Sequence, residues 1–144
     1  MKKKLVVFLL AALTLSTLTA CGRPRMVPTI NMDAAQLDLQ DYCMSLPTAN
    51  YTDETYYVDL NGDGSDELCM CVYLDTTKPH KALVVYDVYN DSYYTLDGEY
   101  FSYEIESTGK KHLKVLCDDD IHGKVTVQGG QLVFEADKVK GRSS

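Results

Sequence analysis

Two hydrophobic rhythms divide the chain. Between Asp33 and Leu46, apolar residues fall at Ala35, Leu39, Tyr42, Cys43 and Leu46. Spacings built from three and four put these positions on one stripe of an α-helix. Asp33 is placed to cap that helix, Gln36 to reach back as in a capping box, and Pro47 to stop it. From Thr55 onward the period becomes two. Phe101, Tyr103 and Ile105, then Leu113, Val115 and Cys117, then Val125 and Val127, then Leu132, Phe134 and Ala136 alternate with other residues. Strands with one buried and one wetted face have this pattern. The runs 55–58, 68–74 and 82–89 are aromatic, aliphatic and β-branched, and also predict strands.

Turn residues punctuate the strands. Asn90-Asp91, Asp97-Gly98, Thr108-Gly109 and Gly129-Gly130 separate neighbouring runs, and Asp118, Asp119 and Asp120 open a longer turn ending near Gly123. Short turns predict antiparallel pairing in sequence order. The expected fold class is therefore α+β and mainly β. One N-terminal helix packs on an antiparallel meander of about seven or eight strands, with scope to curl toward a barrel.

The N-terminus follows neither rhythm. Lys2, Lys3 and Lys4 precede an apolar run from Leu5 to Leu13, and small and polar residues lead to Ala20. Residues 1–20 therefore predict a secretory signal peptide, too short and wrongly flanked for a spanning helix. The segment closes on Leu18-Thr19-Ala20-Cys21. This L-T-A-C sequence resembles the lipobox of bacterial lipoproteins, and the resemblance implies that Cys21 is lipid-modified and becomes the mature first residue. Two or more acyl chains there would hold the protein stably at the extracytoplasmic face of the cell membrane. Residues 21–30 carry Pro24 and Pro28 without periodicity and predict a flexible tether. Residues 31–138 form a single globular domain, and 139–144 a frayed polar tail.

Removing the leader changes the charge. The chain has 14 basic and 21 acidic residues, and without the three leader lysines the net charge is −10. Such a surface repels nucleic acid and anionic headgroups and favours divalent cations.

Asp59 to Glu67 gives that preference a location. The stretch D-L-N-G-D-G-S-D-E sets oxygen side chains at Asp59, Asn61, Asp63 and Glu67, with Gly62 and Gly64 between them. Counting Asp59 as position 1, these are positions 1, 3, 5 and 9, and the Ser65 carbonyl falls at position 7. Ca²⁺ takes 6–8 oxygen ligands, and alternate residues converge on one ion only where the backbone curls, which glycine permits. An EF-hand needs Glu at position 12, which here is Met70, and the flanks predict strands rather than helices. The D-x-N-x-D-G-x-x-E spacing followed by Leu68 resembles the calcium loops of FG-GAP and VCBS repeat proteins. It is most similar to the single calcium hairpin of bacterial surface lipoproteins. That resemblance implies a Ca²⁺-binding strand–loop–strand over residues 55–75. The motif occurs once, so a propeller does not follow.

Four cysteines remain after Cys21: Cys43, Cys69, Cys71 and Cys117. An even number outside the cell predicts two disulfides, of which the preferred set joins Cys43 to one of Cys69 and Cys71, and Cys117 to the other; the alternative is four reduced cysteines packed as small buried hydrophobes. Eleven tyrosines and no tryptophan suit half-buried sheet faces. An exposed tyrosine cluster would bind a glycan or a protein. The three histidines lack a paired nucleophile, and no Gly-rich phosphate loop or metalloprotease motif is present. The expected protein is non-enzymatic. It is a calcium-holding surface lipoprotein or, alternatively, one that captures or inhibits a ligand through a tyrosine-rich face.

Overall fold

The computed structural model describes residues 29–77 and 80–138. The predicted signal peptide, Cys21 and most of the tether lie outside the described residues, as does the end of the tail.

Helix α1 runs Met32–Ser45. Its cap is Asn31, whose side chain accepts from the Ala34 N–H at 3.3 Å, so Asp33 lies in the first turn instead of capping it. Gln36 is not part of a capping box but accepts a hydrogen bond from the Tyr57 hydroxyl at 3.2 Å. The predicted stripe holds: Ala35, Leu39 and Cys43 are buried, and Tyr42 and Leu46 pack beside them.

Among the described residues nine strands follow: β1 Tyr51–Thr52, β2 Tyr56–Val58, β3 Glu67–Tyr73, β4 Lys81–Asp87, β5 Ser92–Leu96, β6 Tyr103–Gly109, β7 His112–Cys117, β8 Ile121–Gln128 and β9 Gln131–Ala136. All pairings are antiparallel and mainly between sequence neighbours, as the turns predict. They do not close into a barrel. They form two sheets: sheet I has the order β1-β3-β4-β5 with β2 also on β3, and sheet II is the meander β6-β7-β8-β9. β1 and β2 are one interrupted edge strand. Thr52 pairs with Val72 and Tyr56 with Cys69, so the edge carries one extra residue, a bulge at residues 53–55.

Sheet I is the middle of three layers. Cys69, Cys71, Leu83 and Val85 face sheet II and pack with Tyr103, Ile105, Leu113, Val115, Cys117 and Val125. The alternate residues Leu68, Met70, Val72, Ala82 and Val84 face α1. β3 and β4 are thus buried on both faces, which explains why their sequences are continuous apolar runs while those of sheet II alternate. Tyr93 stacks between Tyr42 and Tyr86, with ring centroids 4.1 and 4.2 Å away, tying α1 to the edge of sheet I.

Three predicted turns are corrected. Asp97-Gly98 is not a hairpin but the start of the crossing between sheets. The peptide groups beyond it find other partners: Tyr100 N donates to Tyr103 Oη at 3.2 Å, Ser102 N to Asp118 Oδ1 at 2.9 Å, and the Phe101 carbonyl accepts from Lys81 N at 3.3 Å. The turn expected at Thr108-Gly109 is Lys110-Lys111, closed by the pair Gly109 and His112. Gly123 lies inside β8 rather than ending a loop. A Cβ there would run into the Glu135 carbonyl of β9 and lie 2.5 Å from the Phe134 ring, so the neighbouring strand requires the glycine.

Candidate metal centre

The loop between β2 and β3 stands at the end of sheet I where both strands are fixed by pairing. Val58 is opposite Glu67, so residues 59–66 must turn the chain within one strand spacing. Gly62 and Gly64 adopt φ +79° and +92°, conformations that L side chains rarely take. Backbone N–H groups point inward and hold the carboxylates. Asp59 Oδ1 accepts from Gly62 N at 2.6 Å and Asp59 Oδ2 from Gly64 N at 3.1 Å. Asp63 Oδ1 accepts from Ser65 N at 2.8 Å. Glu67 Oε2 accepts from Leu60 N at 2.5 Å and Asn61 N at 3.3 Å.

These bonds bring three carboxylates together: one oxygen each from Asp59, Asp63 and Glu67 lies within 4.8 Å of the others. Oxygens bound to one Ca²⁺ at about 2.3–2.6 Å stand at most roughly 5 Å apart, so the spacing suits a single coordination sphere. Each oxygen that accepts one N–H keeps a second lone pair free for a cation. Ser65 enters through its N–H. Asn61 presents its amide nitrogen to the carboxylates, donating to Asp63 Oδ2 and Asp87 Oδ2, both at 3.2 Å, while its oxygen accepts from Asp63 N at 2.8 Å. Asp66 is exposed.

Glu67 dominates the electrostatics. It is 1% exposed. Burial pushes its carboxyl up, the Leu60 and Asn61 N–H groups pull it down, and the charges of Asp87 and Asp63 push it up again, leaving it at about 7. Asp87, also 1% exposed, is a residue the loop motif does not include. It ends β4, accepts from Asn90 N at 3.0 Å and Asn90 Nδ2 at 2.7 Å, and steadies Asn61. Its one sequence signal is a carboxylate closing an apolar strand.

The cysteines are corrected. Cys43, Cys69, Cys71 and Cys117 are all free and buried. Cys43, on α1, packs on one face of sheet I while Cys69 and Cys71 face sheet II, so sheet I rules out the Cys43 bridge; Cys117 shares the core layer of Cys69 and Cys71 and is a free thiol there. Burial pushes the thiols of Cys43, Cys71 and Cys117 up to about 12, and raises Cys69 as well.

The tyrosines are spread over several places. Tyr86 and Tyr103 are buried, and the strongly exposed ones are Tyr51, Tyr57 and Tyr89, on β1, on β2 and after β4. Tyr51 stacks on Tyr73 at 4.0 Å beside a cavity of about 350 Å³ between the sheets. Lys81 lines that cavity, its ammonium 3.6 Å from Asp53, 3.8 Å from Glu104 and 4.4 Å from the Tyr73 ring centroid. Burial pushes Lys81 down, but the Tyr73 hydroxyl and the two carboxylates carry it above its ordinary value, so it stays a cation.

Among the described residues no helix is long and apolar enough to cross a membrane. No known protein-family model, curated protein or solved structure matches the chain.

Proposed function

We propose that the chain is a membrane-anchored, extracytoplasmic, non-enzymatic lipoprotein whose domain holds Ca²⁺ structurally in the β2–β3 loop. The observation that carries the calcium reading is the convergence of Asp59, Asp63 and Glu67 within 4.8 Å. Ca²⁺ would sit among these carboxylates, with Asn61 and the Ser65 carbonyl completing the set. It would turn their mutual repulsion into attraction and clamp β2 to β3. Asn61 would turn its amide so that the oxygen faces the ion, and Asp87 would keep accepting from Asn90. The anchor rests on the lipobox-like sequence ending at Cys21. Calorimetric titration should give one Ca²⁺ per chain, and Cys21→Ala should abolish lipid labelling and release the protein from the membrane fraction. Absent binding removes the first half, and a Cys21→Ala protein that stays in the membrane removes the second.

A second reading, ligand capture, is favoured by one observation. The cavity at Lys81 is lined by Tyr56, Tyr73 and the charged residues Asp53, Glu54 and Glu104, and Tyr51, 54% exposed, stacks on Tyr73 beside it. Aromatic faces beside polar groups suit sugars and peptides alike. A glycan array with wild type and Tyr51→Ala separates this reading from a purely structural calcium protein.

A further inference from the structure

Gly62 is needed for more than its φ of +79°. A Cβ built on it would lie 2.7 Å from Lys111 Nζ, 3.1 Å from Cε and 3.4 Å from Cδ. The end of the Lys111 side chain therefore lies along the bare face of Gly62, in the middle of the acidic loop. Lys111 comes from the other sheet. It is the second residue of the Lys110-Lys111 turn, has φ +60°, and follows a strand end closed by the pair Gly109 and His112. His112 Nδ1 lies 2.9 Å from the Lys110 carbonyl, which further fixes the turn. The stem of Lys111 is thus anchored in sheet II while its ammonium meets the loop of sheet I.

We infer that Lys111 is a built-in counter-ion of the β2–β3 loop that Ca²⁺ displaces, an inference that rests on the calcium reading above. Without calcium, a single positive charge at Gly62, within the turn that carries Asp59 and Asp63, relieves part of the repulsion in the loop. With calcium, an ammonium several ångströms from a divalent ion is repelled and swings to solvent. Lys111 then lowers calcium affinity and couples occupancy of the loop to the β6–β7 turn. A charge of one against two at such a separation, in water and partly screened, corresponds to roughly a three- to tenfold weakening at low salt.

Two measurements on the full chain test this. Lys110 and Lys111 are both exposed neighbours in one turn, so Lys110 is an internal control. Acetylation by a water-soluble reagent, read by mass spectrometry, should show the Lys111-to-Lys110 rate ratio rising severalfold when calcium replaces chelator. Lys111→Gln should bind calcium roughly three- to tenfold more tightly at low salt, with the gain shrinking at molar salt, and Lys111→Arg should stay within about twofold of wild type. An unchanged ratio, or equal affinities of wild type and Lys111→Gln, with wild type still binding calcium, overturns the counter-ion and leaves the metal site standing. Wild type that binds no calcium overturns both.

Discussion

Replacing Glu67 by glutamine tests whether the loop is built for a charge the metal-free fold bears only at a cost. The carboxyl of Glu67 stands at about 7 in the folded chain against an ordinary 4.5. A carboxyl raised by folding binds more protons folded than unfolded across that interval, so the metal-free domain loses stability as pH rises from about 4.5 to about 7 and keeps it below 4.5. At 1.36 kcal/mol per unit, the penalty approaches about 3 kcal/mol at pH 8 and about 1 kcal/mol at pH 5.5. Glutamine keeps an acceptor for the Leu60 and Asn61 N–H groups and carries no charge. In chelator at pH 8, Glu67→Gln should therefore melt above wild type. For a domain of about 110 residues, 3 kcal/mol corresponds to roughly 10–15 °C. The gap should narrow to less than half at pH 5.5. The same variant should lose the calcium response, having lost a charged ligand. Thermal denaturation by circular dichroism at both pH values, with chelator and with calcium, measures all four states. A variant that melts at or below wild type in chelator at pH 8, or that keeps the full calcium response, would refute the reasoning.

Three further outcomes follow from the geometry. Asp63→Ala should erase the calcium response, whereas Asp66→Ala, at an exposed position, should keep it within about 2 °C of the wild-type shift in melting temperature; equal responses would remove Asp63 from the ligand set. Iodoacetamide should leave Cys43, Cys69, Cys71 and Cys117 unmodified in the native protein at pH 8 and label all four in denaturant, while a Cys43 bridge in non-reducing peptide maps would contradict the layer assignment. Leu39→Ala, at a side chain 0% exposed between α1 and sheet I, should cost about 2–5 kcal/mol in urea denaturation, and a loss below about 1 kcal/mol would mean that α1 is not a core element.

The helix, most strands and the acidic loop were legible because each is written in local spacing. Leu39 and Cys43 read as one stripe, and Asp59 to Glu67 as alternating oxygen donors. The division into two sheets was written less openly. The apolar runs of β3 and β4 lack the alternation of β6 to β9, and that contrast signals strands covered on both faces. Asp97-Gly98 misled because a turn dipeptide reports local backbone freedom and not what the next strand pairs with. Asn31 and Asp33 are both able caps, and the choice fell to the longer helix, in which Met32 packs toward sheet I. The Cys43 pairing failed because counting cannot reveal which face of a sheet a residue occupies; Cys117 shares the layer of Cys69 and Cys71 and is free all the same. Asp87 reaches the loop across 26 residues of sequence, a contact that no local pattern encodes.

The central claim is that the β2–β3 loop is a calcium staple. Extracellular modules bind Ca²⁺ at about 10⁻⁴–10⁻³ M, and at millimolar calcium a dissociation constant near 10⁻⁴ M adds about 1.4 kcal/mol of stability. The most direct measurement is the melting temperature of the wild-type protein with calcium and with chelator. It should rise by roughly 5–10 °C with calcium, return on chelation, and respond weakly to Mg²⁺, which demands tight octahedral geometry. Superimposed melting curves in calcium and in chelator would contradict the claim.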